Sequence, residues 1–315
     1  MTLNEMFNVI LRQLPKELKY MRPPRWTAKR LKEFLIEKSI YLSGITSIVI
    51  VCLIFIFLAK EGFSLFKTVR WQDFICGSKW YPISTPAQFG ILPLITGSFL
   101  VTIGATLIAV PIGVASAVYI AEVAPAKVKE ILKSGIEVLA AIPSVVLGFI
   151  GMMTLVPWAK TTFKIPTGLT AFSGAVILAF MAMPTIVSIA EDALNAVPKR
   201  YKEAALALGA TRWQAIWRVV LPAASSGIVA AIMLGIGRVI GETMAVMMVT
   251  GNAARIPTSI FQPVRTLTAT IAAEMGETVR GGDHYFALFA IGIVLFLLTF
   301  IINLIADFAV HRKAK

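Results

Sequence analysis

Residues 39–59 read SIYLSGITSIVIVCLIFIFLA, and this stretch decides the class of fold. It contains no charged side chain from end to end. An α-helix rises about 1.5 Å per residue, so about 20 apolar residues cross the hydrocarbon core of a bilayer. The stretch is therefore predicted to be a transmembrane helix. The whole chain fits this class, because 57% of its residues are hydrophobic, 15% are charged, and its mean hydropathy is +0.79.

Five further apolar segments of membrane length follow along the chain. They cover residues 91–120, 134–158, 168–190, 223–250 and 285–310. With the first segment they predict an all-α, polytopic membrane protein with six transmembrane helices. The remaining parts are a basic N-terminal segment 1–38, a loop 61–90 after the first anchor helix 39–60, and a tail 311–315.

The distribution of Lys and Arg predicts the orientation. With a cytoplasmic N-terminus, the inside segments are 1–38, 121–133, 191–222 and 311–315, and the outside segments are 60–90, 159–167 and 251–284. The inside segments hold 20 basic residues and the outside segments hold 9. Because cytoplasmic loops are enriched in positive charge, both termini are predicted to lie in the cytoplasm, with the chain in the cell (inner) membrane. Because the basic residues lie mostly between apolar runs, the net charge of +13 is expected to contact anionic lipid, and no nucleic-acid partner is expected.

The segment 191–222 carries the most specific pattern, EDALNAVPKRYKEAALALGATRWQAIWRVVLP. Pro198 suits the first turn of a helix, and Gly209 suits a left-handed helix end. Thr211 suits the N-cap of a second helix. The segment therefore predicts a helix–turn–helix beneath the membrane, with apolar side chains available for docking: Ala204, Leu208, Trp213 and Trp217. An amphipathic helix on the bilayer surface is the alternative interpretation.

The spacing in this segment resembles the EAA loop of ABC importer permeases. The matching positions are Glu203, Ala204, Ala205 and Gly209, followed by Val219 and Leu221-Pro222. Val219 departs from the usual isoleucine of the family. The resemblance implies that 191–222 is the coupling loop, which inserts into a groove on an ATP-binding subunit. Glu203, Ala204, Ala205 and Gly209 are the coupling residues that it implies.

The fifth apolar segment contains two charges, Arg238 and Glu242. A central arginine costs about 2.5–3.5 kcal/mol on membrane-insertion scales, so it is expected to face a pathway or a partner. The spacing of four predicts that both side chains share one helical face, where they can pair. A guanidinium also binds phosphate or sulfate oxyanions in a bidentate manner. A transport role and a purely structural pair are both compatible with this pattern.

Three stretches resemble the permeases of the phosphate-specific ABC importer, particularly the PstC-type subunit. They are residues 235–252 (GIGRVIGETMAVMMVTGN), 80–102 (WYPISTPAQFGILPLITGSFLVT) and 138–149 (VLAAIPSVVLGF). The resemblance implies a type I, MetI-like permease core over 91–310 and a role for Arg238 and Glu242 in phosphate passage. It also implies the partners of such a permease: a PstA-like second permease, two ATP-binding subunits and an extracytoplasmic phosphate-binding protein.

Several functions are excluded or left open by the residues themselves. The chain contains no Gly-Lys pair and hence no phosphate-binding loop, so we expect a transport subunit without an ATPase site of its own. No catalytic residue and no cofactor are expected. Cys52 and Cys76 predict no disulfide framework. Neither these cysteines nor His284 and His311 predict a metal site. A permease for sulfate, molybdate or tungstate, or an ion-coupled secondary transporter, remains an alternative. The loop 251–284 is interpreted as a gate or docking surface, or as a solvated loop.

Overall fold

The structure is a computed structural model that describes residues 28–313, and helices dominate this part of the chain. The helices are α1 (Ala28–Gly62), α2 (Trp71–Cys76), α3 (Leu92–Val118), α4 (Ala126–Ala141), α5 (Ser144–Ile150), α6 (Val156–Thr162), α7 (Ala171–Asn195), α8 (Lys199–Ala207), α9 (Arg212–Ala215), α10 (Leu221–Ala223), α11 (Ser225–Ile240), α12 (Met244–Val249), α13 (Leu267–Glu274) and α14 (Asp283–Lys313). Two short strands, β1 (Trp80–Tyr81) and β2 (Gln88–Phe89), form an antiparallel pair.

Shorter helical turns join several of these helices. Turns of 3₁₀ type cover Phe63–Lys67 and Met275–Glu277, and π-helical turns cover Tyr119–Val123, Gly151–Leu155 and Ile216–Val220. The π-turns continue α3, α5 and α9 directly, with no coil residue between helix and turn. Such wide turns are rare and are found mostly inside longer helices.

The membrane-spanning segments confirm the predicted fold class. Within residues 28–313, five helical segments are long and apolar enough to cross a bilayer: Lys32–Lys67, Leu92–Val123, Ser144–Thr162, Ala171–Asn195 and Asp283–Ile305. A sixth is obtained if Arg212–Ala223 and Ser225–Ile240, which meet at 69°, are counted as one broken span. The chain is thus an all-α, multi-pass membrane protein.

Two spans are interrupted within their predicted limits. The third was predicted over 134–158, but α4 ends at Ala141 and the span begins at Ser144. Pro143 explains the break, because the residue before a proline is driven to extended backbone, and Ile142 adopts φ −67°, ψ 126°. The fifth was predicted as one helix over 223–250, but α11 ends at Ile240 and α12 starts only at Met244.

The chain divides into two units, Met1–Ile56 and Phe57–Lys315. In the described part of the first unit, no side chain between residues 32 and 56 is buried within the chain. In the second unit α7 is the central helix, because 61% of the residues in its most apolar stretch are buried. For the other spans of that unit the buried share is 17–28%. The largest apolar cluster joins α7 to α3, α11 and α12.

Small residues allow α3 and α7 to approach closely. Val101, Ala105 and Ala109 of α3 share the cluster with Leu178 and Ala182 of α7. A Cβ placed on Gly174 would lie 2.6 Å from the Thr250 side chain and 3.2 Å from Val101. In lipid the hydrophobic effect does not drive helices together, because the lipid tails are as apolar as the side chains. Helices associate there through close approach of their backbones at small residues.

Two further clusters occupy the ends of the bundle. At one end, Trp80 and Phe89 of the strand pair pack with buried side chains of α3 and α14. At the other end, Ile216 and Val220 pack with residues of α3, α7 and α11. The hydrogen bonds from Ala171 N to Gln262 O and from Phe172 N to Ile260 O place the 251–265 loop at the first end. The segment after Asn195 lies at the second.

Replacement of Gly97 by alanine is expected to destabilise the bundle. A Cβ at this position would lie 2.5 Å from the backbone oxygen of Arg265, which cannot rotate away as a side chain would. Overpacking of this kind costs about 1–3 kcal/mol. The measurement is the unfolding transition of the purified protein in detergent, followed by tryptophan fluorescence.

Gly135→Ala is the matched control, because a Cβ there meets nothing within 4 Å. This substitution in an exposed part of α4 is expected to be neutral or to stabilise by about 0.5–1 kcal/mol through helix propensity. Equal effects of the two substitutions would contradict a tight α3–loop contact at Gly97.

Candidate functional site

The hairpin formed by α8, α9 and α10 follows the local rules that the sequence predicts. Pro198 is the N-cap of α8, and Gly209 ends the helix with φ +84°. The Ala210 amide donates to the Ala205 carbonyl at 3.1 Å, which closes the helix end around the left-handed residue. Thr211 caps α9 in a reciprocal capping box with Gln214. The predicted helix–turn–helix is confirmed.

One side of this hairpin is exposed and apolar. Glu203 and Ala204 are exposed on α8, and Leu208 is 89% exposed at the turn. Trp213 and Trp217 lie next to each other with ring centroids 5.7 Å apart, and both are more than half exposed. Apolar side chains gathered at one exposed hairpin are typical of an interaction surface. Ala205 is half-buried on the opposite side of the helix.

The other side of the hairpin is fixed to the bundle by two kinds of contact. Ile216 and Val220 are buried in the cluster that includes Ile120 and Leu194. Lys202 of α8 forms an ion pair with Glu122, which lies in the π-turn after α3. The hairpin is therefore attached to α3, α7 and α11, the same helices that form the core of the bundle.

A buried carboxylate lies nearby, at the end of α7. The Glu191 side chain is 3% exposed and receives the Lys129 ammonium at 3.0 Å and the Lys133 ammonium at 3.1 Å. The Asn195 side-chain amide donates to the same carboxylate at 2.9 Å. The hydrogen bond and charge of Glu191 raise the pKa of Lys133 above its ordinary value. A buried charge needs such partners, and here they tie α4 to α7.

Arg238 lies in the last turn of α11, with its side chain exposed on the isolated chain. Its guanidinium donates to the Thr185 hydroxyl of α7 at 3.4 Å. Thr185 follows Pro184 inside the α7 helix. Because a guanidinium carries five donors, the single bond to Thr185 leaves most of its donors for another group.

Glu242 does not pair with Arg238, so the pairing predicted from their spacing is wrong. Among the ion pairs of residues 28–313, none joins these two side chains. The reason is the break after Ile240: Glu242 lies outside α11, so the four-residue spacing no longer puts it on the face of Arg238. Its carboxylate instead accepts from the Ala245 amide at 3.1 Å, at the start of α12, and Thr268 donates to its carbonyl.

The opposite end of the bundle holds a cavity of about 1120 Å³ between the strand pair and the 251–284 segment. Glu274 is the centre of its polar lining: it accepts from the Trp80 indole at 3.1 Å and from Arg265, and it lies 2.8 Å from His284. These contacts join the strand pair to three positions of the 251–284 segment. The segment contains α13 and is held by the Arg265–Glu274 ion pair and by hydrogen bonds, so it is more than a solvated loop.

Three functional candidates were not found by reasoning from the sequence. From the sequence, Glu191 is named only as the start of the 191–222 segment, although an acidic residue directly after an apolar run is a signal for a buried charge at a helix end. Glu122 and Lys202 are 80 positions apart, so nothing in the sequence indicated that they meet.

Within the described residues, no group of three or more His, Cys, Asp or Glu side chains could hold a metal ion.

Comparison with known proteins gives a consistent result. Residues 109–315 match the family described as binding-protein-dependent transport system inner membrane component. The chain is 40% identical over 260 residues to the probable ABC transporter permease protein YqgH of Bacillus subtilis, covering 82% of this chain and 84% of that protein. It is 37% identical over 287 residues to the phosphate transport system permease protein PstC of Mesorhizobium japonicum, covering 82% and 86%.

Solved structures share the fold at lower identity. A bacterial ABC transporter involved in the import of the acidic polysaccharide alginate aligns with a TM-score of 0.60 and 16% identity, covering 91% of this chain and 100% of that chain. The MetNI methionine ABC transporter, in an inward-facing conformation, aligns with a TM-score of 0.56 and 20% identity, covering 71% and 98%. At these identities the likeness concerns the fold alone, which is the predicted MetI-like permease fold.

Proposed function

Because the chain belongs to the family of binding-protein-dependent transport system inner membrane components, we propose that it is a permease subunit of an ATP-driven phosphate importer. Phosphate is assigned as the substrate on one observation. The chain is 32–37% identical, over most of its length, to proteins named phosphate transport system permease protein PstC. The multi-pass helical fold agrees with a subunit that forms a translocation path.

Arg238 is the residue that we assign to the path, together with Glu242. Its exposed guanidinium projects from a membrane span, where an ionisable group is retained only if it faces a partner or water. Thr185 holds it loosely, and the remaining donors match the oxygens of a phosphate. A transport site must release its ion, so a single arginine is better suited than a closed cage. Glu242 acts on the path through the break that it stabilises between α11 and α12.

The α8–α10 hairpin is assigned to energy coupling. Glu203, Ala204 and Leu208 are exposed on its free side, where an ATP-binding subunit can receive them, and Gly209 sets the turn between its two limbs. Ala205 lies behind them as part of the same motif. The buried side chains Ile216 and Val220 give this surface a firm attachment to the spans. A surface-lying amphipathic helix would not need the reciprocal caps or this attachment.

The remaining assignments concern the partners and the orientation. The hairpin end would lie in the cytoplasm, with both termini, and the cavity around Glu274 would face outward toward a phosphate-binding protein. A PstA-like permease would complete the path, and two ATP-binding subunits would supply the hydrolysis. This chain would have no ATPase site of its own, since it contains no Gly-Lys pair.

The proposed function is tested by radiolabelled phosphate uptake into proteoliposomes that contain the assembled complex, with ATP inside and the binding protein outside. Uptake is expected to require ATP and to be unaffected by a large excess of sulfate. Uptake of sulfate or molybdate in place of phosphate would overturn the assigned substrate. Uptake that is indifferent to ATP would point to a secondary transporter instead.

Arg238→Gln is expected to lower phosphate uptake by about tenfold or more, a loss of about 1.4 kcal/mol of stabilisation for the passing anion. Assembly with the partner subunits should persist, because the side chain is exposed and makes one long hydrogen bond. Arg238→Lys is the control that keeps the charge and should retain more uptake than the glutamine variant. Wild-type uptake by Arg238→Gln would reduce this residue to a structural role.

Glu203→Lys and Gly209→Pro are expected to uncouple ATP hydrolysis from uptake while leaving membrane insertion intact. The first reverses the charge of the exposed face, and the second places proline at a position with φ +84°, which its ring cannot adopt. The ratio of phosphate transported to ATP hydrolysed measures the effect. Normal ratios in both variants would exclude the hairpin as the coupling element.

A further inference from the structure

The first limb of the hairpin, α8, has little that fixes its direction. None of its residues is buried, so no apolar core orients it. The Gly209 turn joins it to the second limb, and a Cβ at Gly209 would meet nothing within 4 Å, so the space beside this turn is open. In the described part of the chain, one side-chain hydrogen bond or ion pair connects α8 to another element, the contact between Lys202 and Glu122.

The surroundings of this ion pair make it stronger than a surface pair. The Glu122 side chain is 11% exposed and the Lys202 side chain is 29% exposed. Exposed pairs contribute about 0–1 kcal/mol because water and salt screen them, whereas screening is weaker where the charges are partly withdrawn from water. Removal of the Lys202 side chain would leave Glu122 as a nearly buried charge with no cation.

The two sides of α8 therefore have different contacts. Glu203 and Ala204 face away from the protein, while the adjacent Lys202 reaches back to the membrane-spanning part. Glu122 lies in the π-turn Tyr119–Val123, which continues α3 as one helical segment, Leu92–Val123. Since α3 packs along α7 in the main cluster, a force applied to α8 reaches the central helix through α3.

We propose that the Lys202–Glu122 ion pair is the link that passes movement of α8, the first limb of the coupling hairpin, to α3, and that both are positioning residues for the transport cycle. This inference rests on the proposed coupling function of the hairpin. The buried side chains Ile216 and Val220 anchor the second limb, and the ion pair anchors the first. With both limbs held, the hairpin moves with the spans as one body; with the ion pair broken, α8 can tilt about Gly209 while α3 stays in place.

The test is a charge swap in the assembled complex. Lys202→Glu, Glu122→Lys and the double variant Lys202→Glu/Glu122→Lys are reconstituted in proteoliposomes, and phosphate uptake and ATP hydrolysis are measured in the same vesicles. Each single variant is expected to lower the phosphate-to-ATP ratio by about tenfold while hydrolysis continues, and the double variant to recover about half of it. Lys202→Gln and Glu122→Gln, which fit the same space, should give the same loss without charge repulsion.

Lys199→Glu is the matched control, since it makes the same charge change on an exposed residue of α8. Its ratio should stay within about twofold of the wild type. The link is overturned if the single variants transport normally, if the double variant remains as impaired as the singles, or if Lys199→Glu is equally impaired.

Copurification of the ATP-binding subunits separates this inference from the proposed function. Retention of these subunits by the Lys202 and Glu122 variants is expected, because neither side chain lies on the exposed docking side. Their loss would show that the pair acts in docking and would overturn the link. A normal ratio in Glu203→Lys and Gly209→Pro would instead contradict the coupling function itself, whatever the swap gives.

Discussion

The close packing of α3 against α7 is the constraint on which the rest of the structure depends. In a bilayer the lipid tails are as apolar as leucine, so helices are held by van der Waals contact and not by exclusion from water. Val101, Ala105 and Ala109 of α3 meet α7 at short range, and a Cβ on Gly104 would lie 2.8 Å from Ala175. This contact leaves α7 the central helix, and α11 and α12 join the same cluster.

Two interruptions of the helices decide which charged side chains meet. The break at Pro143 turns α4 into a separate amphipathic helix, whose lysines are then free to reach the buried Glu191. The break after Ile240 ends α11 just beyond Arg238 and assigns Glu242 to the start of α12. In an uninterrupted helix the four-residue spacing would put these two charges on one face. Because the helix stops, the guanidinium of Arg238 bonds to Thr185 instead.

Charges are distributed so that each end of the bundle is tied together across distant parts of the chain. At the hairpin end, Glu122 and Glu191 hold lysines of α8 and α4. At the other end, Glu274 joins Trp80, Arg265 and His284. Such partly buried networks are satisfied by several partners and hold their elements in defined positions. The chain belongs to a family of transport-system membrane components, and a protein of this kind has to connect the two sides of the membrane.

The sequence by itself determined the class of fold, the approximate positions of the spans, and the hairpin, because apolar length, helix caps and the left-handed Gly209 are local properties of neighbouring residues. The motif positions Glu203, Ala204, Ala205 and Gly209 were located through the resemblance of this segment to the EAA loop. Only the tertiary structure decided that Lys202 meets Glu122, that Glu191 is buried, and that Arg238 bonds to Thr185 and not to Glu242. These depend on which helices pack together and where they break, and such long-range contacts leave no periodic trace in the chain.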